Sequence, residues 1–303
     1  MKIKKLAWLT VGFTYLLMVW GNLVSSTGSG LACPDWPLCH GTILPPISFS
    51  VVMEWGHRLL AFTASMLILA TLISVFRAPL APNSSLKTSG KTLLFLLVLQ
   101  ILLGATTVML GLSPTVSTIH LMVATLVFSG LILVACVATW ENPVISNPSP
   151  KVKRLALSGL VALLIQFALG ALVRHSHSGL ACPNFPNCLS GFFPAPWTYE
   201  NSLAFIHRWW GVMMIGVFFH LATATPRHAP ELARAARSAF GISIAQVLLG
   251  IGTVMSGLNT HSRATHAAVG YALWGILFYI TVRAGGLQGL WKRQEAAAPI
   301  PSV

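Results

Sequence analysis

Eight apolar stretches of about twenty residues constrain this chain more than any other feature. They lie at 6–24, 52–76, 91–110, 119–140, 155–174, 203–225, 236–256 and 265–283. A bilayer core takes about 20 residues as helix, and in lipid every backbone polar group must be satisfied within the segment. The expected fold is therefore an all-α integral membrane protein with eight transmembrane helices. Only 8% of the 303 residues are charged, against roughly 25% in a soluble domain. The net charge of +13 does not point to nucleic acid, because the basic residues sit in small groups between apolar runs. The partner that surrounds such a chain is membrane lipid. The N-terminus, "MKIKKLAWLTVGFTYLLMVWG", resembles a signal peptide. Its apolar run is longer than a typical h-region and no small-residue cleavage site follows, so it reads as a retained first helix.

Basic residues set the orientation. With eight spans, both termini and the loops after helices 2, 4 and 6 share one side. That side holds 15 of the 19 Lys and Arg residues, and the other holds only Arg58, Arg174, Arg208 and Arg263. The first side is thus expected to be cytoplasmic, in a multi-pass protein of the bacterial inner membrane. The loops "GLACPDWPLCHG" and "GLACPNFPNCLSG" then face outward, where disulfides persist.

Those loops belong to a longer repeat. Gly21, Leu23 and Val24 match Gly170, Leu172 and Val173; "SGLACP" and the dipeptide "HR" each occur twice in register. "QILLGATTVMLGL" from Gln100 matches "QVLLGIGTVMSGL" from Gln246, which places His120 opposite His266. The chain reads as a duplicated unit: a four-helix half at 1–145 and another at 146–303, two bundles related by a pseudo-twofold.

Each half carries one histidine near the outer end of its second helix, His57 and His207, and one near the outer end of its fourth, His120 and His266. Two facing histidines in an apolar bundle are a usual way to hold a haem iron from both sides. A lone intramembrane histidine more simply hydrogen-bonds a neighbouring helix. Four at matched positions favour the haem reading. Gly104, Gly111, Gly250 and Gly257 let either a flat macrocycle or another helix come close. Arg58 and Arg208, one residue past His57 and His207, are candidates for pairing with haem propionates or for snorkelling to headgroups. His40, His175, His177 and His261 read as solvated loop residues, and His220 and His228 have no counterpart in the other half.

One half has an acid beside its histidine pair and the other does not. Glu54 precedes His57 by three residues, on the same helix face, and its counterpart is Ala204. The first half is then the one suited to chemistry, with Glu54 as proton acceptor or charge stabiliser. The plainer alternative is a carboxylate favoured by the helix start. The pairs Cys33/Cys39 and Cys182/Cys188 share a C-x5-C spacing that fits neither a zinc site nor covalent haem attachment. A disulfide within each loop is the natural reading outside the cytoplasm. Structural staples are the default role, and a redox role for Cys33–Cys39 stays open. Cys136, within helix 4, reads as packing.

Taken together, "ACPDWPLCHG", "EWGHR", His120, "ACPNFPNC", "HRWWG" and His266 resemble the haem A synthase family over nearly the whole chain. The resemblance implies haem B as cofactor, held by His207 and His266, and haem O as substrate, bound near His57 and His120. It implies oxidation of a ring methyl to a formyl group by successive hydroxylations and loss of water, with Glu54 as the essential carboxylate. Haem O synthase (protohaem farnesyltransferase) and cytochrome oxidase assembly are the partners it implies, and a homo-oligomer is compatible with it. Two rivals come from other classes. A non-catalytic bis-histidine b-type cytochrome explains the histidines but not Glu54 against Ala204. A membrane thiol-disulfide oxidoreductase explains the cysteines but not the histidines. A repeat-built transporter would place its site nearer mid-membrane.

Overall fold

The computed structural model describes residues 3–79, 84–140, 144–145 and 149–288. Its long helices are α1 (Ile3–Ser26), α2 (Phe49–Arg77), α3 (Ser85–Met109), α4 (Pro114–Thr139), α5 (Pro150–His175), α6 (Tyr199–His228), α7 (Ala233–Met255) and α8 (Thr260–Arg283). All eight are long and apolar enough to cross a membrane, and among the described residues there is no strand. The chain is a multi-pass, all-α membrane protein. The C-terminal "QEAAAPIPSV", expected from its composition to be disordered, lies outside the described residues, as do Lys2, Lys292 and Arg293.

The helices extend a few residues beyond the apolar runs because capping residues flank those runs. Pro114 and Pro150 open α4 and α5 at positions where a missing N–H costs nothing. The Ser48 hydroxyl accepts the Val51 N–H at the start of α2. Thr198 and Asn201 form a capping box at the start of α6. The ends of α3 and α7 repeat one another. Gly111 and Leu112, like Gly257 and Leu258, have positive φ, and the Leu112 and Leu258 N–H groups donate to Thr107 O and Thr253 O. This closes each helix in a left-handed cap. Leu112 then packs closely on Gly30 and Leu258 on Gly179, where a Cβ would fall 3.1 and 2.9 Å from the leucine side chain. Each cysteine loop is thereby anchored to the helix turn beside it.

Helix neighbours recur between the halves: α1 packs on α2 and α4 and α3 on α4, as α5 packs on α6 and α8 and α7 on α8. The halves meet through α1, α4, α5 and α8. Buried residues make up 61% and 50% of the apolar windows of α4 and α8, against 17–33% in the other six. α4 and α8 therefore form the protein interior, and the others turn apolar faces outward. Polar side chains tie the central helices together, as expected where lipid offers no hydrophobic drive. The Trp274 indole donates to Ser129 Oγ at 2.8 Å and the Tyr15 hydroxyl to Ala268 O at 3.1 Å.

Candidate functional site

Both cysteine loops close as predicted, with disulfides Cys33–Cys39 and Cys182–Cys188; Cys136 is free and buried in α4. One arginine fastens each loop to the helix below it. Arg58 of α2 donates to the carbonyls of Cys33, Asp35 and Leu38 at 3.0, 2.6 and 2.5 Å. Arg208 of α6 donates to the aligned carbonyls of Cys182, Asn184 and Asn187 at 2.7, 2.6 and 3.1 Å. The structure thus gives both arginines a loop-clamping role that the sequence did not suggest. Arg208 also borders the cavity described below. In the first loop, the N–H groups of Gly41 and His40 hold the Asp35 carboxyl below the usual carboxylate range.

Glu54 is buried, at 3% exposure. Its carboxylate turns toward the loop. Oε2 accepts the Cys33 N–H at 2.8 Å and Oε1 pairs with Arg58 at 2.6 Å. A charge-assisted pair at i, i+4 wins over the neutral imidazole at i+3. In the second half Ala204 packs directly on Cys182 and Cys188. The first loop therefore rests on a buried ion pair and the second on a methyl group.

The histidines lie one layer deeper. His57 and His120 are close enough to interact electrostatically, and so are His207 and His266. Every one of the four has a buried Nδ1 with no hydrogen-bond partner. Glycines make room for the rings. A Cβ at Gly21 would fall 2.8 Å from His57 Cε1, and one at Gly170 would fall 2.8 Å from His207 Cε1. Gly104 and Gly250 stand in the same relation to His120 and His266, at 3.4 and 3.1 Å. The amides of Gln100 and Gln246 approach Nε2 of His120 and His266 at 3.3 and 3.4 Å. These two glutamines were visible at the head of the repeated "Q-x-L-L-G" segment, but nothing in the sequence said which way they turn. His207 and His266 border one cavity of about 330 Å³, lined mainly by apolar groups and by Gly170, Gly211 and Gly250.

These features fit a haem. Paired imidazoles in an apolar layer, with a cavity beside the second pair, are the donor set a haem iron would take, and the glycines leave room for the rings. Alanine at Gly170 should displace the His207 ring. We expect about 1–3 kcal/mol of overpacking and loss of haem from the second pocket, read from the absorbance of the purified protein; unchanged haem content would contradict the cradle.

One expectation for the remaining histidines changes. His175 is the last residue of α5, half-buried, and its Nδ1 lies 3.0 Å from Thr118 Oγ1 of α4, so it is not a solvated loop residue. His177 is exposed in a turn, as expected, and borders the cavity. His40 and His261 are exposed, as expected.

The disulfides close short loops. By chain entropy each is worth about 2 kcal/mol. Replacing Cys182 and Cys188 with serine should lower thermal stability by about that amount, as measured by unfolding in detergent. A shift indistinguishable from zero would show that Arg208 holds the loop unaided.

Comparison with known proteins gives a consistent result. The family model described as COX15-CtaA, cytochrome oxidase assembly protein, matches residues 4–51 and 47–278. A protein of Symbiobacterium thermophilum named Heme A synthase is 30% identical over 276 residues, covering 88% of this chain and 90% of that protein. One from Bacillus licheniformis with the same name is 27% identical over 288 residues, covering 91% and 94%. One from Bacillus cereus strain AH187, also so named, is 28% identical over 306 residues, covering 98% and 97%.

Proposed function

The chain belongs to the COX15-CtaA family of cytochrome oxidase assembly proteins, and we propose that it is a haem A synthase. On this reading haem O is the substrate, and one of its ring methyls is oxidised to a formyl group by successive hydroxylations and loss of water. The observation that carries the reading is the set of four matched histidines, with an acid, Glu54, beside the first pair where the second has Ala204. His57 and His120 would hold the substrate in the first half, 1–145. His207 and His266 would hold a resident haem B in the second half, 146–303. The two halves would be related by an approximate twofold.

When bound, haem B supplies one-electron redox chemistry. The chain's own residues bind, orient and enclose. The apolar layer around the histidines excludes water. Arg58 fixes the first cysteine loop over α2 and forms an ion pair with Glu54. That buried negative charge stands one helical turn from His57, where it would stabilise positive charge or take a proton as the methyl is oxidised. Glu54 also binds the Cys33 backbone, so the Cys33–Cys39 disulfide is held against the first site. By the distribution of basic residues, both termini would lie in the cytoplasm and both cysteine loops outside. Haem O synthase would be the upstream partner and cytochrome oxidase assembly the destination.

Complementation tests this reading. In a bacterium that makes haem O but lacks its own haem A synthase, the full chain should restore haem A to the membrane oxidase. Membranes containing only haems B and O would reject it.

A further inference from the structure

The halves also differ at two cationic positions beside the second histidine pair. In the alignment set by Gly21/Gly170 and by His120/His266, Arg174 stands opposite Ser25 and Arg263 opposite Ser117. Arg174 lies one turn beyond Gly170 on α5, toward the cysteine loop. Arg263 lies one turn before His266 on α8, where the helix begins beside the same loop. Both side chains border the cavity that holds His207 and His266, on the cysteine-loop side of that pair.

Among the described residues the two guanidiniums have no counterion. The salt bridges among the described residues are Arg58–Glu54 and Arg283–Glu231. Arg174 donates to Ser25 Oγ, Asn22 O and Ser26 Oγ, each at 3.0 Å. Arg263 donates through Nη2 to Ser26 O at 2.5 Å, and its Nε is buried with no partner. The two side chains are also close enough to repel one another. Two mutually repelling cations at the mouth of an apolar cavity need anionic charge between them. In the first half the aligned groups are neutral hydroxyls, and Ser117 Oγ is buried without a partner.

We propose that Arg174 and Arg263 form a dicarboxylate clamp that retains the porphyrin of the second pocket by its two propionates, while Ser25 and Ser117 leave the first pocket unclamped so that its porphyrin exchanges. The proposal rests on the haem reading above. A flat ring with two carboxylates on one edge matches a histidine pair with two guanidiniums one turn to one side. Guanidinium–carboxylate bonds are charge-assisted and often bidentate. A resident cofactor needs that retention. A substrate that must leave as product does not, and the aligned serines carry no charge to supply it. Four arginines on the outer side of the chain are thereby divided by position: Arg58 and Arg208 hold the loops, and Arg174 and Arg263 hold the cofactor.

The test measures haem release from the full chain purified in detergent, using excess apomyoglobin as acceptor, together with the midpoint potential of the retained haem. Arg174→Ser and Arg263→Ser should each speed release of the second-pocket haem about tenfold, and the pair about a hundredfold, as expected for charged hydrogen bonds. The midpoint potential should fall as positive charge is removed. Arg→Lys at both positions should restore most of the potential but less of the retention, since lysine keeps the charge and loses the fork. If the arginines merely tie α5 and α8 to α1, thermal stability falls while release and potential stay within twofold of wild type, and that result overturns the proposal. Should the double serine variant not fold, the single and lysine variants decide by potential and release. A wild-type chain with no haem in the second pocket would instead refute the haem reading itself.

Discussion

Glu54→Gln is expected to cut haem A formation at least about 100-fold, a usual loss for a positioned acid–base group, with the protein folded and haem O bound. Glutamine keeps the size and an oxygen to accept the Cys33 N–H, but it removes the charge that pairs with Arg58. A residue that only staples the loop would tolerate that change; a carboxylate whose charge serves the reaction would not. Glu54→Ala adds a second effect. It leaves the Arg58 guanidinium half-enclosed without its partner and the Cys33 N–H without an acceptor. Breaking a buried pair in this way costs about 3–5 kcal/mol, so Ala should also loosen the first loop. Haem extraction and quantification after a fixed expression period separate the two variants. Turnover by Glu54→Gln within a few-fold of wild type would reduce Glu54 to a loop staple.

The second large effect separates the halves. On the proposed assignment, His207→Ala or His266→Ala should lower bound haem B to below about a tenth of wild type, because a site that two histidines would hold loses one of them with either substitution, and haem A formation should cease. His57→Ala or His120→Ala should leave haem B in place and still abolish haem A. Identical haem losses from both pairs of variants would show that the two sites do not divide into cofactor and substrate.

The fold was legible because lipid leaves a chain few choices. Runs of about twenty apolar residues read as helices in a bilayer, and flanking residues such as Ser48, Pro114, Pro150 and Thr198 moved their ends by a few positions. The histidine pairs were legible because duplication printed each of them twice. Side-chain direction was not legible. Glu54 has His57 at i+3 and Arg58 at i+4, and spacing alone does not choose between them; charge does. Arg58 and Arg208 looked free to meet propionates, since no sequence pattern announces a clamp on backbone carbonyls 20 to 26 residues away. His175 read as solvated because it adjoins a loop, yet α5 runs through it and Thr118 of α4 meets its ring. Arg174 and Arg263 became informative only once the cavity placed them together.

The central claim is that one chain holds haem B in its second half and converts haem O in its first. The most direct measurement is to express the wild-type chain in a host that makes haem O but has no haem A synthase, purify it in detergent, extract the non-covalent haems and identify them by chromatography and mass. Haem B together with haem A or its hydroxylated precursor is the predicted result. Haem B alone would make the protein a plain b-type cytochrome, and no haem at all would contradict the assignment of the four histidines.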